Sequence, residues 1–164
     1  MSSSATDTLT AAILTVSDST AHGTRQDASG PALAALLTQN SFQVIETAVV
    51  PDEPPEIQAA LIRLAGLARL VVSTGGTGLS ARDVTPEATR VVCDRMVEGL
   101  AEVMRFEGLK KTPFAALSRA VCGTRGSSLI VNVPGSPRGA VESLSAILAL
   151  IPHALNLLRG QTDH

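Results

Sequence analysis

The stretch Arg69–Ala88, RLVVSTGGTGLSARDVTPEA, contains the pattern that decides the fold. Its apolar run 70–72 is short and rich in β-branched residues, which predicts a buried strand. Gly75, Gly76 and Gly78 follow at once and can adopt backbone conformations that are closed to other residues. Backbone N–H groups exposed at such a turn suit phosphate oxygens. A tight connection without a ligand is the competing interpretation, since glycine turns alone are weak signals.

The residues after the turn favour a ligand site. Asp83 follows Arg82 within reach of the glycines. Thr85 is the predicted N-cap of a helix, and Pro86 fits its first turn. A helix that starts here fixes the direction of the Asp83 side chain, so the stretch predicts a phosphate site with an acidic metal ligand beside it. The hydroxyls of three neighbouring residues would add donors: Ser73, Thr74 and Thr77.

On the N-terminal side, strand and helix patterns alternate. The sequence predicts strands at Ala11–Val16 and Phe42–Val50, a helix at Ala28–Thr38, and a second helix that starts at Pro54. This βαβαβ order predicts a single-domain, three-layer α/β/α fold with a mostly parallel sheet. Ligands of such sheets gather where the carboxyl ends of strands meet the loops, and each of the motifs described here follows a predicted strand.

The C-terminal half is harder to interpret. Ser127–Val133 predicts another strand, and Ala140–Leu158 predicts a long apolar helix interrupted at Pro152. Between them, the sequence favours a helix over Met96–Met104 and a loop over Gly108–Pro113.

Composition limits the function classes. The 164 residues are 45% hydrophobic with a mean hydropathy of +0.25, which fits one domain. We expect this domain at 11–160, after a disordered leader at 1–10. Only 2% of residues are aromatic and the net charge is −2, which argues against a nucleic-acid partner. We expect no secretion signal and no membrane span, hence a cytoplasmic protein. Cys93 and Cys122 are predicted to be ordinary small hydrophobic residues rather than metal ligands or a disulfide.

Two further segments carry candidate ligands. Asp52 follows the second strand, where it either binds a ligand or stabilises the start of the next helix through the helix dipole. The turn after the later strand reads Asn132-Val133-Pro134-Gly135-Ser136-Pro137, and its two prolines rigidify a loop with accessible donors. Near the first strand, Asp18 and Asp27, with Ser17 and Ser29, are either helix caps or pocket residues.

These segments resemble a known family. TGGTG, RDVTPEA, VPGSPRGA at 133–140 and ILTVSDSTAHGTRQDASGPALAALL at 13–37 are similar to the molybdenum cofactor biosynthesis proteins of the MogA/MoaB type. The resemblance covers all but about ten residues at each end and implies the fold of that family. It implies Asp52 and Asp83 as catalytic and metal-binding residues that share Mg²⁺, which prefers few carboxylates together with phosphate oxygens and waters.

The same resemblance implies the remaining site residues. In similar proteins the PGxP loop and the preceding Asn help to bind the pterin, so Asn132 and Ser136 are expected contacts, with Ser118 a weaker candidate. The full expected set for substrate and cofactor is Ser73, Thr74, Gly75, Gly76, Thr77, Gly78, Ser118, Asn132, Pro134, Gly135 and Ser136.

The resemblance implies adenylylation of molybdopterin, with ATP as co-substrate, Mg²⁺ as cofactor and pyrophosphate as product. The alternatives are a carrier of the same fold that binds molybdopterin without adenylylating it, and a scaffold module. A homotrimer or hexamer is expected, and other molybdenum cofactor biosynthesis proteins are further candidate partners. The sequence contains no Walker motif and no GxSxG elbow, which argues against a P-loop kinase or a serine hydrolase.

Overall fold

The computed structural model describes residues 7–161, and one mixed sheet organises them. Its strands are β1 (Leu9–Val16), β2 (Phe42–Val50), β3 (Leu70–Thr74), β4 (Arg95–Met96), β5 (Cys122–Arg125) and β6 (Ser128–Val133). The helices are α1 (Asp18–Ala21), α2 (Ser29–Gln39), α3 (Pro54–Ala65), α4 (Thr85–Val92), α5 (Glu98–Leu109), α6 (Pro137–Ile147) and α7 (Ile151–Leu158). Short 3₁₀ turns occupy Pro113–Leu117 and Leu148–Leu150.

The order of the strands determines where a ligand can bind. The sheet runs β2-β1-β3-β6-β5-β4, and the first four strands in this order pair in parallel. The chain passes from β1 outward to β2 and then returns to the other side of β1 as β3, so the connections leave the ends of β1 and β3 in opposite directions. Such a switch point opens a crevice at the carboxyl ends of the two strands.

Alternating side chains divide the core into two layers, as expected for an α/β/α fold. In β1, Ile13 belongs to the core layer that includes residues of α2, α5, α6 and α7, whereas Leu14 belongs to the layer that includes residues of α3 and α4. The same alternation continues in β3, where Val72 belongs to the first layer and Val71 to the second. Burial on both faces explains the near-continuous apolar run of the central strands.

The segment between α4 and β6 differs from the prediction. Met96 belongs to the two-residue strand β4 rather than to a helix, and α5 runs from Glu98 through Leu109, past the predicted loop start at Gly108. β5 was not predicted; it pairs antiparallel with both β6 and β4. Backbone pairing creates these two short strands, so the side-chain pattern gives little sign of them.

Two predicted helix starts shift. Thr85 lies inside α4 as its first residue while Val84 is the N-cap, and the Thr85 N–H donates to the carbonyl of Gly76 at 3.1 Å. The C-terminal helix begins at Pro137 and breaks at Leu148–Leu150, before Pro152. Pro152 instead occupies the first turn of α7, where a missing N–H costs nothing.

The stretch Pro137–Leu158 is, by length and composition, the one candidate membrane span among residues 7–161, with a mean hydropathy of 1.6 over its best window. Its inward side chains belong to the core of the domain: Ala140, Leu144, Ile147, Ile151 and Leu155 are completely buried there. Core helices of soluble proteins pass the same test. The buried face accounts for part of the apolar composition, and 22% of the window is buried.

The N-terminal boundary also shifts. β1 begins at Leu9, so Leu9 and Thr10, predicted to belong to the leader, pair with β2. Residues 1–6 of the predicted leader lie outside the described residues. Both cysteines are free thiols, and burial raises the pKa of Cys93 to about 11 and that of Cys122 to about 12.

One buried amide connects the central strands to the helix that follows the glycine turn. Asn132, completely buried in β6, donates from Nδ2 to Ser73 Oγ at 2.8 Å and to Thr89 Oγ1 at 2.9 Å. Its Oδ1 accepts from the Val121 N–H at 3.2 Å. All the hydrogen-bonding groups of the side chain thus have partners inside the fold, which buried amides require.

We predict that Asn132→Leu lowers the free energy of unfolding by about 3 kcal/mol, because it leaves the Val121 N–H and two hydroxyls without their partner. The expected loss in Tm is roughly 6–12 °C for a chain of this size, measured by thermal unfolding. Asn40→Leu is the control, since Asn40 is exposed and its side chain donates only to the Leu36 carbonyl. Equal Tm values for the two variants would contradict the assigned role.

Candidate functional site

The site lies at the carboxyl edge of the parallel strands. The loops that follow β1, β2, β3 and β6 meet there, and they carry Asp18, Asp52, the segment Gly75–Asp83, and the segment Pro134–Ser136. This arrangement confirms the expectation that the motifs after the strands share one edge of the sheet.

The glycine turn requires two left-handed residues. Gly75 has φ +99° and Gly76 has φ +68°, a region that favours glycine. A Cβ on Gly75 would clash with the Val16 carbonyl of the neighbouring strand. A Cβ on Gly76 would clash with Thr85 Oγ1 and lie 3.1 Å from Asp52 Oδ1. The turn therefore brings bare backbone close to one of the candidate carboxylates.

Two clefts flank this turn. The larger, which we name the apolar cleft, has a volume of about 930 Å³ and includes Leu79, Met104, Phe114 and Leu117 in its walls. The smaller, the polar cleft, has a volume of about 430 Å³ and is lined by Thr15, Ser17, Arg25, Asp27, Ser29 and Asp52, among others. Four residues line both clefts: Gly76, Asp83, Gly135 and Ser136. Both volumes are typical of small-molecule sites.

Asp52 is held by the loop after β1. Its Oδ2 accepts from the Asp18 N–H at 2.9 Å, and its own N–H donates to Asp18 Oδ1 at 2.9 Å. Burial raises the pKa of the Asp52 carboxyl above its ordinary value, and the negative charges of Asp18 and Asp83 raise it further. Asp52 is thus close enough to both acids to feel their charge, and a bound cation would relieve this repulsion.

Asp83 closes the loop that starts at the glycine turn. Its Oδ2 accepts from the Ser80 N–H at 3.0 Å, and its N–H donates to the Ser80 carbonyl at 2.9 Å. This short turn leaves Asp83 on the rim shared by the two clefts.

Arg119 is a residue of the site that sequence reasoning missed. Its Nε donates to the Gly78 carbonyl and its Nη2 to the Asp83 carbonyl, both at 2.8 Å. Its N–H donates to the Thr77 carbonyl at 2.9 Å, and its Nη1 pairs with Glu87. One guanidinium therefore fixes both ends of the loop from Gly78 to Asp83. The partners lie between 32 and 42 positions away in the chain, so no local pattern could have indicated it.

Most of the predicted site residues come together, and two do not line either cleft. The polar cleft includes Asp52, Thr74 and Gly75, and the apolar cleft includes Thr77, Gly78, Ser118 and Pro134. Ser73 and Asn132, in contrast, are completely buried beneath the turn and bonded to each other.

Several residues near β1 were expected to be either helix caps or pocket residues. Among them, Ser17 caps α1, because its hydroxyl accepts a hydrogen bond from the Thr20 N–H. Asp27 accepts from the Gly30 N–H at the start of α2 and from Thr15 Oγ1. Both residues also line the polar cleft, so each combines the two alternatives.

A metal at this edge would need ligands from outside the chain. Among residues 7–161, no group of three or more His, Cys, Asp or Glu side chains is arranged to hold an ion. Asp18 is adjacent, but both of its carboxylate oxygens already accept hydrogen bonds from Arg82. Asp52 and Asp83 thus supply two carboxylates, a number that suits Mg²⁺ with phosphate oxygens and waters.

The Thr85 hydroxyl is buried beside Gly76 and has no hydrogen-bond partner within the described part of the chain. Thr85 thus presents an unpaired polar atom directly beneath the turn. The atom lies on the side of Gly76 that Asp52 Oδ1 also approaches.

Comparison with known proteins identifies the family. The sequence model of a family described as a probable molybdopterin binding domain matches residues 12–153. A molybdopterin adenylyltransferase of Helicobacter pylori (strain J99) is 40% identical over 152 residues, which are 90% of this chain and 86% of that protein. The Escherichia coli (strain K12) molybdopterin adenylyltransferase is 37% identical over 171 residues, covering 94% and 87%.

The fold agrees with the sequence comparison. The crystal structure of the molybdopterin biosynthesis enzyme MoaB from Thermus thermophilus superposes with a TM-score of 0.88 at 52% identity, covering 93% of this chain and 97% of that one. The resemblance read from the motifs is thereby confirmed, and the chain belongs to the molybdopterin binding domain family of molybdenum cofactor biosynthesis proteins.

Proposed function

We propose that this protein is a molybdopterin adenylyltransferase. An oxygen of the terminal phosphate of molybdopterin would bond to the α-phosphorus of ATP. The bond from that phosphorus to the bridging oxygen would break, and pyrophosphate would leave with the electron pair. The observation that carries the proposal is that two clefts of different chemistry meet at one rim, at Gly76, Asp83, Gly135 and Ser136. Such a rim suits a reaction that joins two substrates, and relatives covering most of the chain bear this name.

The two clefts differ in what they can bind. The polar cleft combines the glycine turn with the start of α2 and with Arg25, a cation that forms no ion pair with residues 7–161. These features favour phosphate groups. The apolar cleft offers Leu79, Met104 and Phe114 to a planar ring. We therefore propose that the phosphates extend along the polar cleft and reach the shared rim.

Asp52 and Asp83 are the proposed holders of Mg²⁺. Burial is the main cause of the raised pKa of Asp52, and the charges of Asp18 and Asp83 raise it further, so a cation would reduce this repulsion. A bound Mg²⁺ would neutralise charge on the phosphates as the leaving group departs. The protein itself then positions two substrates and their charges, so it needs no nucleophile of its own.

Substrate contacts are proposed for Thr74, Gly75, Gly76, Thr77, Gly78, Ser118, Pro134, Gly135 and Ser136, since each of them lines a cleft. For Asn132 and Ser73 we propose an indirect role. Their buried hydrogen bond supports the floor of the turn from below, where no cleft reaches them.

Association into a homotrimer or hexamer is a further proposal. Large apolar side chains are exposed on the last helical segments, with Leu150 at 49% and Leu157 at 42% of their full exposure, and an interface would cover them. Light scattering after size exclusion should give three or six times the 16.9 kDa chain mass. A mass of one chain at micromolar concentration would contradict this. A cytoplasmic location and contacts with other cofactor biosynthesis proteins stay predictions from the sequence.

The direct test is incubation with molybdopterin, ATP and Mg²⁺, with pyrophosphate release and AMP bound to the pterin as readouts. We expect release that requires all three components. We expect Asp83→Asn to lower turnover by about 10²-fold or more, the effect of losing one electrostatic group of a transition state. Glu102→Gln removes one exposed charge on α5 and is the matched control.

Two results would contradict the proposal. Turnover of Asp83→Asn equal to that of Glu102→Gln would remove Asp83 from the mechanism. Tight binding of molybdopterin without consumption of ATP would make the protein a carrier.

A second prediction concerns the glycine turn. Gly76→Ala should lower turnover by about 10²-fold, because the new methyl group would displace Thr85 or Asp52 from its position beside the turn. Gly23→Ala is the control, since Gly23 has a similar φ of +77° but open space around its Cα. Both variants carry the backbone strain of a left-handed alanine, so an equal loss of turnover would show that strain alone is responsible.

A further inference from the structure

A salt-bridged pair outside the two clefts joins the loop that carries Asp83 to the segment after β1 that contacts Asp52. Arg82 lies immediately before Asp83, after β3, whereas Asp18 follows β1. Arg82 donates from Nε to Asp18 Oδ2 at 3.0 Å and from Nη2 to Asp18 Oδ1 at 2.9 Å. These two bonds bridge 64 positions of sequence in a planar, two-pronged contact, which has a more defined geometry than a single ion pair.

The same Asp18 also holds Asp52. Its N–H donates to Asp52 Oδ2, and its Oδ1 accepts from the Asp52 N–H, both at 2.9 Å. This reciprocal pair uses Oδ2 of Asp52 and leaves Oδ1 directed to the side of Gly76. The loop after β2 receives a further tie, since Arg82 Nη2 donates to Glu53 Oε1 at 2.9 Å.

We propose that Asp18 and Arg82 are positioning residues that set the separation and orientation of Asp52 and Asp83. The chain of contacts runs from Asp83 through the adjacent Arg82 to Asp18, and from Asp18 to Asp52. Neither residue lines a cleft, so both act through the two acids rather than on a substrate. This inference rests on the proposed function, because it assigns the pair to the metal site of that function.

The negative charges around Asp52 explain why Asp18 is paired with an arginine. Asp52 and Asp83 already repel each other, and a third bare carboxylate at Asp18 would add to that repulsion. The guanidinium of Arg82 pairs with Asp18, and its hydrogen bonds hold the pKa of Asp18 below the ordinary value. Arg82 therefore offsets part of the negative charge that Asp18 brings to the site when it accepts the Asp52 N–H.

The solvent exposure of the Arg82–Asp18 pair indicates that it contributes to the geometry of the site more than to the stability of the fold. The side chains of Arg82, Asp18 and Glu53 are 53%, 33% and 48% exposed, and such solvent-screened surface pairs add little to folding stability. Loss of the pair should thus leave the fold intact while it releases the two acids from their fixed geometry. Partners behind metal ligands typically change metal affinity or activity by roughly 10–100-fold when they are removed.

The test compares Arg82→Gln with Arg63→Gln, in the whole protein. Arg63 is a matched control, because it pairs with Glu46 at the surface, is 52% exposed, and lies on α3 away from both clefts. Mn²⁺ binding in the presence of ATP is measured by electron paramagnetic resonance, since Mn²⁺ accepts the same oxygen ligands as Mg²⁺. Pyrophosphate release, the KM for molybdopterin and the Tm are measured beside it.

For Arg82→Gln we expect Mn²⁺ affinity and kcat to fall by about tenfold or more, with the KM for molybdopterin within about twofold and the Tm within a few degrees. Arg82→Lys keeps the charge but not the two-pronged contact, so it should recover only part of the loss. The double variant Asp18→Asn with Arg82→Gln should lose little more than Arg82→Gln alone, because both changes break one contact.

Arg82→Gln with the Mn²⁺ affinity and kcat of Arg63→Gln would overturn the inference, as would full recovery by lysine or losses in the double variant that simply add. Absence of Mn²⁺ binding and of pyrophosphate release in the unaltered protein would overturn the proposed function and this inference together. The results with the variants would leave the proposed function intact, so failure of this inference can be distinguished from failure of the proposed function.

Discussion

The close approach of three main chains at Gly75 is the constraint on which the site depends. The Gly75 N–H donates to the Val133 carbonyl at 3.1 Å, while its Cα faces the Val16 carbonyl so closely that no side chain fits. A Cβ on Gly135 would lie 3.3 Å from the same Cα. The ends of β1, β3 and β6 can converge only because Gly75 and Gly135 have no side chain. Both clefts, and the rim between them, are consequences of that convergence.

Two arginines stabilise the loop that follows the glycine turn. Arg119 holds the loop from Gly78 to Asp83 through its carbonyl groups, from the side of β5. Arg82, itself a residue of this loop, ties it to the segment after β1 through the Asp18 carboxylate. The loop is thus fixed at two points although it lies on the surface, so its acidic residue is preorganised. Preorganised charge is the main contribution that a protein can make when the substrates supply the reacting groups.

The sequence predicted the elements whose signal is local. Strand β3, the glycine turn and the start of α3 at Pro54 follow from apolar runs and from residues with special backbone preferences. The position of the site at one edge of the sheet could be predicted from the βαβαβ order, because the carboxyl ends of parallel strands lie on the same side. Pairings between distant residues gave no local signal. Arg119 therefore went unnoticed, and Asn132 was expected among the ligand contacts although its amide is bonded within the core. Strand β4, only two residues long, exists through backbone pairing alone.

The two edges of the sheet are unequal, and this restricts the symmetry of any assembly. One edge is β2, nine residues long; the other is β4, with two residues. Only β2 is long enough to pair with a strand of a second copy over several residues. Extension of the sheet would therefore pair β2 with β2. Such a contact is self-complementary and generates a twofold axis, whereas a threefold ring requires two different surfaces on each copy. A trimer of this protein would therefore have to form through helices and loops, and each sheet would end within its own subunit.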